Sequence, residues 1–125
     1  MFILCCLLTV LLVKAQSAEP CKVSFAPLSQ RYDGECKKGQ ASGKGEAWGE
    51  HHYIGEFKNG SPNGKGTYYY NDSESYTGNL QDGLREGKGQ MTYKITDKQG
   101  VSKDSIVQGY WSGDIYRGKS YTTYK

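Results

Sequence analysis

Outside its first 15 residues this chain of 125 residues has little aliphatic side chain, and its length leaves room for one domain. A thick two-layer core is not expected. Histidine is confined to the adjacent pair His51 and His52, whose side chains point to opposite sides of any extended chain. No further histidine stands at ligand spacing and no cysteine pair has the short spacing of a zinc site, so the pair reads as a solvated connector and no metal site is expected. The formal net charge is only +3, falling to +2 without Lys14, and lysines and carboxylates are interspersed along the whole chain. Nucleic acid is therefore not an expected partner. The Gly-Lys-Gly copies at Lys44, Lys65 and Lys88 do not form a G-x-x-x-x-G-K-[ST] loop with a following helix, and no serine or cysteine nucleophile stands with a base and an orienting group. Neither an enzyme nor a cofactor is expected.

What the chain has instead is glycine, 17 residues, and tyrosine, 11 residues, at fixed offsets from one another. From Tyr53 the order is Gly55, Phe57, Gly60, Gly64, Gly66, closed by Tyr68, Tyr69 and Tyr70. From Tyr32 it is Gly34, Cys36, Gly39, Gly43, Gly45, closed by Trp48, and from Tyr76 it is Gly78, Leu80, Gly83, Gly87, Gly89, closed by Tyr93. A fourth copy reads from Trp111 through Gly113 and Ile115 to Gly118-Lys119-Ser120, with Tyr121 and Tyr124 at its end. The starts lie 21, 23 and 35 residues apart. So much glycine without a period would mean a flexible linker; the fixed spacing argues against that.

The pattern Y-x-G-x-[aromatic]-x-x-G-x-x-x-G-x-G resembles the MORN repeat (membrane occupation and recognition nexus), and the resemblance runs from Arg31 to Tyr124. Cys36 and Leu80 depart from it where an aromatic is usual, and the last unit lacks the middle turn. The resemblance implies an all-β fold, an elongated antiparallel meander of stacked MORN-type β-hairpins forming a single-layer twisted sheet. It also implies scaffolding, localisation or membrane-associated roles. The expected repeats are 32–49, 53–70, 76–93 and 111–124, within a repeat domain of 31–125, with an insertion at 94–109 read as a lengthened hairpin turning at Asp97-Lys98-Gln99-Gly100.

Ahead of the repeats, Phe2 to Val13 is an apolar run too short for the roughly 20 residues of a bilayer span. It reads as a signal peptide over 1–15, with cleavage after Ala15 or as late as Ser17, followed by an extended segment over 16–30. Cys5 and Cys6 fall inside that leader. Export, to a periplasm or outside the cell, follows, with membrane tethering if the leader is retained. Cys21 and Cys36 are then an even pair in a compartment where disulfides persist. A bridge between them would be worth about 3 kcal/mol in the chain-entropy account; the alternative is that Cys36 is a free buried thiol in the position of Phe57 and Ile115.

Within a unit, period two puts Tyr53, Gly55 and Phe57 on one face of a strand, Asn59 to Gly64 in a turn, and Gly64 to Tyr70 on the returning strand. Glycine inside a strand costs about 0.5–1 kcal/mol against alanine. An aromatic ring from the neighbouring hairpin lying on the bare backbone is the expected compensation. Tyr68, Tyr69 and Tyr70 alternate, so at least one faces outward. The candidate partner-binding residues are Trp48, Tyr68, Tyr69 and Tyr70, with the lysines of the three Gly-Lys-Gly copies, Lys44, Lys65 and Lys88. Glu35 and Glu56 stand on the opposite arms, in reach of cross-strand pairing. Glu46, Glu50, Asp72 and Glu74 combine carboxylates with aromatics as glycosidases do, but Asp72 and Glu74 lie in loop positions that favour solvation. Asn71-Asp72-Ser73 also fits a glycosylation sequon. The first reading is a non-enzymatic exported module binding a protein or cell-envelope partner; the alternative is an anionic lipid or glycan surface met by the lysine row and tyrosines.

Overall fold

The computed structural model describes residues 21–119. The leader with Cys5 and Cys6, and the closing tyrosines Tyr121 and Tyr124, lie outside the described residues. Eight strands follow one another in sequence order in one antiparallel sheet. They are β1 (Arg31–Lys37), β2 (Gln40–Trp48), β3 (His52–Lys58), β4 (Ser61–Tyr69), β5 (Glu74–Gln81), β6 (Leu84–Thr96), β7 (Ser102–Ser112) and β8 (Ile115–Gly118). The expected meander of hairpins is the fold. The lengthened hairpin is there too, β6 and β7 joined by a turn in which Asp97 Oδ1 accepts from the N–H groups of Gln99 and Val101, each at 2.9 Å.

The turns are tighter than expected. Lys38-Gly39, Asn59-Gly60, Asp82-Gly83 and Gly113-Asp114 are pairs with positive φ, the two-residue hairpin turn whose twist matches that of the strands. Ser61, Pro62 and Asn63 therefore belong to the returning strand and not to the turn. Pro62 is tolerated in a strand because the register slips there: Gly55 faces Gly66 and Phe57 faces Pro62, so Asn63, Gly64 and Lys65 oppose Glu56 alone.

The pairing register runs one row of glycines across seven strands, from Gly34 through Gly45, Gly55, Gly66, Gly78 and Gly89 to Gly109. A Cβ on Gly66 would lie 2.3 Å from the Tyr53 hydroxyl and 2.4 Å from its Cε2; Gly45 and Gly89 stand in the same relation to Tyr32 and Tyr76. The ring that covers a glycine thus comes from the same hairpin, and not from the neighbouring one as expected. It reaches its partner strand across a space that a methyl group would close. Its hydroxyl then donates to a backbone carbonyl on its own strand, Tyr53 to Glu56 O at 2.9 Å and Tyr76 to Asn79 O at 2.7 Å. Hairpins meet through the next aromatic position: Phe57 lies edge-on to Tyr32 at 5.1 Å and Trp111 edge-on to Tyr76 at 5.2 Å.

Adjacent hairpin tips are also bonded. Gly60 N–H donates to Ala41 O, Gly83 N–H to Pro62 O and Asp114 N–H to Arg85 O, at 2.9–3.0 Å. That series, with Gly109 opposite Gly89 and Trp111 opposite Gly87, puts Val107, Gly109 and Trp111 where Tyr76, Gly78 and Leu80 stand in the third unit. The frame opening at Trp111 is displaced by four residues from the one the strands adopt. Trp111, and not Ile115, matches Phe57. Val107 has no hydroxyl to anchor it, and the anchoring in this unit passes to Tyr116, whose ring lies 5.0 Å from Trp111 and whose hydroxyl donates to Gln108 O at 3.0 Å.

One face of the sheet is closed by the segment before β1. Cys21 is bonded to Cys36, with Cα atoms 5.8 Å apart, which removes the free-thiol alternative. From there Lys22 and Ser24 bond the first two hairpin tips, Lys22 N–H to Gly39 O and Ser24 N–H to Gly60 O, each at 2.9 Å. The chain then turns through a short 3-10 helix (Ala26–Leu28) back to the other end of the strands, where Pro27 O accepts from His51 N–H at 2.9 Å. Leu28 is wholly buried, and Val23 and Leu28 join Tyr53, Tyr68, Tyr76, Phe57, Leu80, Met91 and Trp111 in a core built mainly of rings. We expect Gly66→Ala and Gly89→Ala each to cost about 2 kcal/mol or more by overpacking. Thr67→Val, with its side chain on the uncovered face, changes stability by less than about 0.5 kcal/mol. Urea unfolding decides, and equal losses at Gly66 and Thr67 would contradict the packing.

Candidate functional site

The other face of the sheet is covered by no element among the described residues. Period two places on it the residues flanking the buried row, and the registers align them into lines that cross the strands. The first line is Arg31, Trp48, His52 and Tyr69, on β1 to β4. The Arg31 guanidinium sits 4.6 Å from the centre of the Trp48 ring, Trp48 stacks on His52 at 5.4 Å, and His52 on Tyr69 at 5.3 Å. His52 Nε2 donates to Glu46 Oε1 at 2.6 Å, which holds the imidazole in the stack. Beside this ladder Ile54 is 44% exposed and Tyr69 39% exposed. An apolar and aromatic patch, with its rings fixed against one another, is thus presented to solvent.

The second line runs from Glu46 and Ile54 through Thr67, Thr77 and Gln90 to Gln108. Thr67 and Thr77 share a hydroxyl hydrogen bond of 3.1 Å, and Gln108 Nε2 donates to Gln90 Oε1 at 2.8 Å. Lys44, Lys65 and Lys88 lie on the same face and are exposed, each two residues before a member of the second line. The expected pairing of Glu35 and Glu56 with these ammonium groups is not what forms. Each carboxylate bonds the backbone of the bulge, Glu56 Oε2 accepting from Lys65 N–H at 2.6 Å and Glu35 Oε2 from Lys44 N–H. Among the described residues the ion pairs are His52 with Glu46 and Arg85 with Asp114, so these lysine side chains face solvent.

The structure therefore divides the candidates. Trp48, Tyr69 and the three lysines share the uncovered face. Tyr68 is only 1% exposed; it lies in the core, its hydroxyl 2.7 Å from His51 Nδ1, and is out of reach of a partner. Tyr70 is half-buried on the core side, 4.5 Å from the Tyr68 ring and under the Arg85 guanidinium. His51 and His52 do point to opposite faces, but neither is a solvated connector: both rings pack against tyrosines. Arg31, His52, Ile54 and the hydroxyl and amide line were not singled out from sequence. For Thr67 and Gln90 the usable signal was their place two residues after Lys65 and Lys88; Arg31, His52, Ile54, Thr77 and Gln108 carry no such signal. Chemically the face offers stacking and hydrogen bonding; no group of three or more metal-ligating side chains occurs among the described residues.

The MORN repeat family matches residues 53–75 and 76–97, the second and third units. This chain is a MORN repeat protein. MORN repeats are non-catalytic modules that bind proteins or membranes. No curated protein matches the chain. The Cys21–Cys36 disulfide is compatible with an exported protein, and no helix among the described residues is long and apolar enough to cross a membrane.

The buried phenols also leave a titration signature. Burial pushes Tyr76 up to about 12, and Tyr70 to about 12 against the opposing Arg85 charge. Burial holds Tyr53 and Tyr68 well above the usual tyrosine value as well. A phenol raised in the folded state contributes its full stability below its unfolded value of 10 and loses it as pH climbs through its folded value, because the unfolded chain releases protons that the folded chain keeps. The urea midpoint should accordingly fall between about pH 10 and pH 12, with tyrosinate absorbance from these rings rising only as the chain unfolds. A midpoint unchanged over that interval would contradict their burial.

Proposed function

We propose that this is an exported, non-enzymatic docking module whose uncovered sheet face binds a protein or cell-envelope partner, with the ladder of Arg31, Trp48, His52 and Tyr69 as its anchor. The observation that carries the reading is the combination of exposure and fixity in that ladder. Tryptophan, tyrosine and arginine bring large contact area, and dominate measured interface energetics. Rings already stacked on one another lose little rotamer freedom on docking, so more of the contact energy appears as affinity. Ile54 beside them supplies apolar area that no part of the described chain covers.

Export is supported by the apolar leader and by a disulfide of a kind that persists in oxidising compartments. The module carries the sheet and its strap as its working surface, so the repeats themselves are the binding unit.

The mature chain used as bait against its own envelope or secreted fraction tests this, beside Tyr69→Ser, Trp48→Ser and, as a control on the far face, Ile95→Ser. A specific partner should be held by wild type and Ile95→Ser. Its affinity should fall about 30-fold with Tyr69→Ser, the effect of removing a contact worth about 2 kcal/mol. Because Tyr69 lies outside the core, thermal unfolding of the variant should be nearly unchanged. Equal retention by all four proteins would refute the assignment of the ladder.

A further inference from the structure

Beyond the ladder, the uncovered face becomes a trough running across β4 to β8, and its chemistry is different. Lys65, Lys88 and Lys119 line it, and no carboxylate does. These three lysines stand on or beside every second strand, β4, β6 and the end of β8, which sets them roughly 9–10 Å apart from the spacing of neighbouring strands. Between them the floor is Thr67, Thr77, Gln90 and Gln108, together with glycine backbone that raises no side chain into the trough. The internal hydrogen bonds of these floor residues use one atom of each amide. Gln90 Nε2 is left to donate to an acceptor, and Gln108 Oε1 to accept from a donor.

We propose that this trough binds an acidic polysaccharide, a chain of pyranose rings carrying a carboxylate or sulfate on every second ring, laid across the strands. An extended pair of pyranose rings has about the length of two strand spacings, so one ionised group per pair meets one lysine per pair of strands. The hydroxyls between, each able to donate and accept, match a floor of hydroxyls and amides. Charge complementarity selects the sign of the ligand and the floor selects its kind.

Other anionic partners fit less well. A bilayer surface is flat and asks for apolar side chains that enter it, whereas this surface is recessed and its apolar lining is Ile106 and Tyr110. An acidic peptide would gain main-chain hydrogen bonds at a sheet edge; on a sheet face the backbone groups are already spent within the sheet. Single-stranded nucleic acid would need a series of rings to stack its bases, and the trough has only that of Tyr110.

Titration calorimetry on the mature chain tests the proposal with four probes: an oligosaccharide alternating uronate and N-acetylhexosamine, a neutral β-linked glucan of equal length, poly-glutamate, and vesicles containing phosphatidylglycerol. The uronate chain should bind saturably, and weaken as salt is raised from about 50 to 200 mM. Lys65→Gln combined with Lys88→Gln should weaken it about tenfold or more, a loss of 1.4 kcal/mol or more. Thr67→Val with Thr77→Val should weaken the uronate chain severalfold and leave poly-glutamate unaffected. Lys98→Gln, in the distant turn of the long hairpin, and Tyr69→Ser, in the ladder, should leave glycan binding unchanged. The last result separates this site from the docking ladder. No binding of the uronate chain, equal or tighter binding of vesicles or poly-glutamate, or an equal loss with Lys98→Gln would each overturn it.

Discussion

The structure depends on one contact made three times: a tyrosine ring laid over the bare backbone of the strand opposite, its hydroxyl tied to a carbonyl on its own strand. Tyr32 covers Gly45, Tyr53 covers Gly66 and Tyr76 covers Gly89. Glycine inside a strand normally weakens it, because backbone entropy is lost and nothing is packed. Here the missing side chain is the space that the ring fills, so the same residue that weakens the isolated strand permits the contact that stabilises the hairpin.

Two consequences follow for the rest of the chain. A core made from rings lying flat against their own sheet is thin, and the segment carrying Val23 and Leu28 supplies the second layer that the strands lack. The disulfide from Cys21 to Cys36 holds that segment at its start. With one face so closed, the other is left to solvent, and strand parity makes its residues lines rather than scattered points. The recognition proposed for this protein is thus a property of lines crossing the sheet: an aromatic one near β1 to β4, a polar and cationic one toward β8.

Much of the fold was legible because the tyrosine-to-glycine offsets record the geometry directly. The offset between Tyr53 and Gly66 is the walk around the hairpin from a ring to the backbone it covers. Other features were hidden for identifiable reasons. Ser61-Pro62-Asn63-Gly64 has the composition of a turn, yet the turn is Asn59-Gly60, and Pro62 sits in the strand where the register slips. The last unit was misframed because Trp111 looks like a repeat-opening aromatic, while Val107 holds that place without a hydroxyl. On the uncovered face, alternation required only that at least one of Tyr68, Tyr69 and Tyr70 point outward; the burial of Tyr68 and exposure of Tyr69 in the folded sheet identify which. The ladder through Arg31 and His52 could not be seen until the strand registers were known, since its members are neighbours only across strands.

A double-mutant cycle on Tyr53→Leu and Gly66→Ala, followed by urea unfolding, tests the ring-over-glycine contact most directly. If the ring occupies the space above Gly66, the alanine is costly beside Tyr53 and far better tolerated beside leucine, with a coupling of about 1 kcal/mol or more. Strict additivity of the two substitutions would contradict the account.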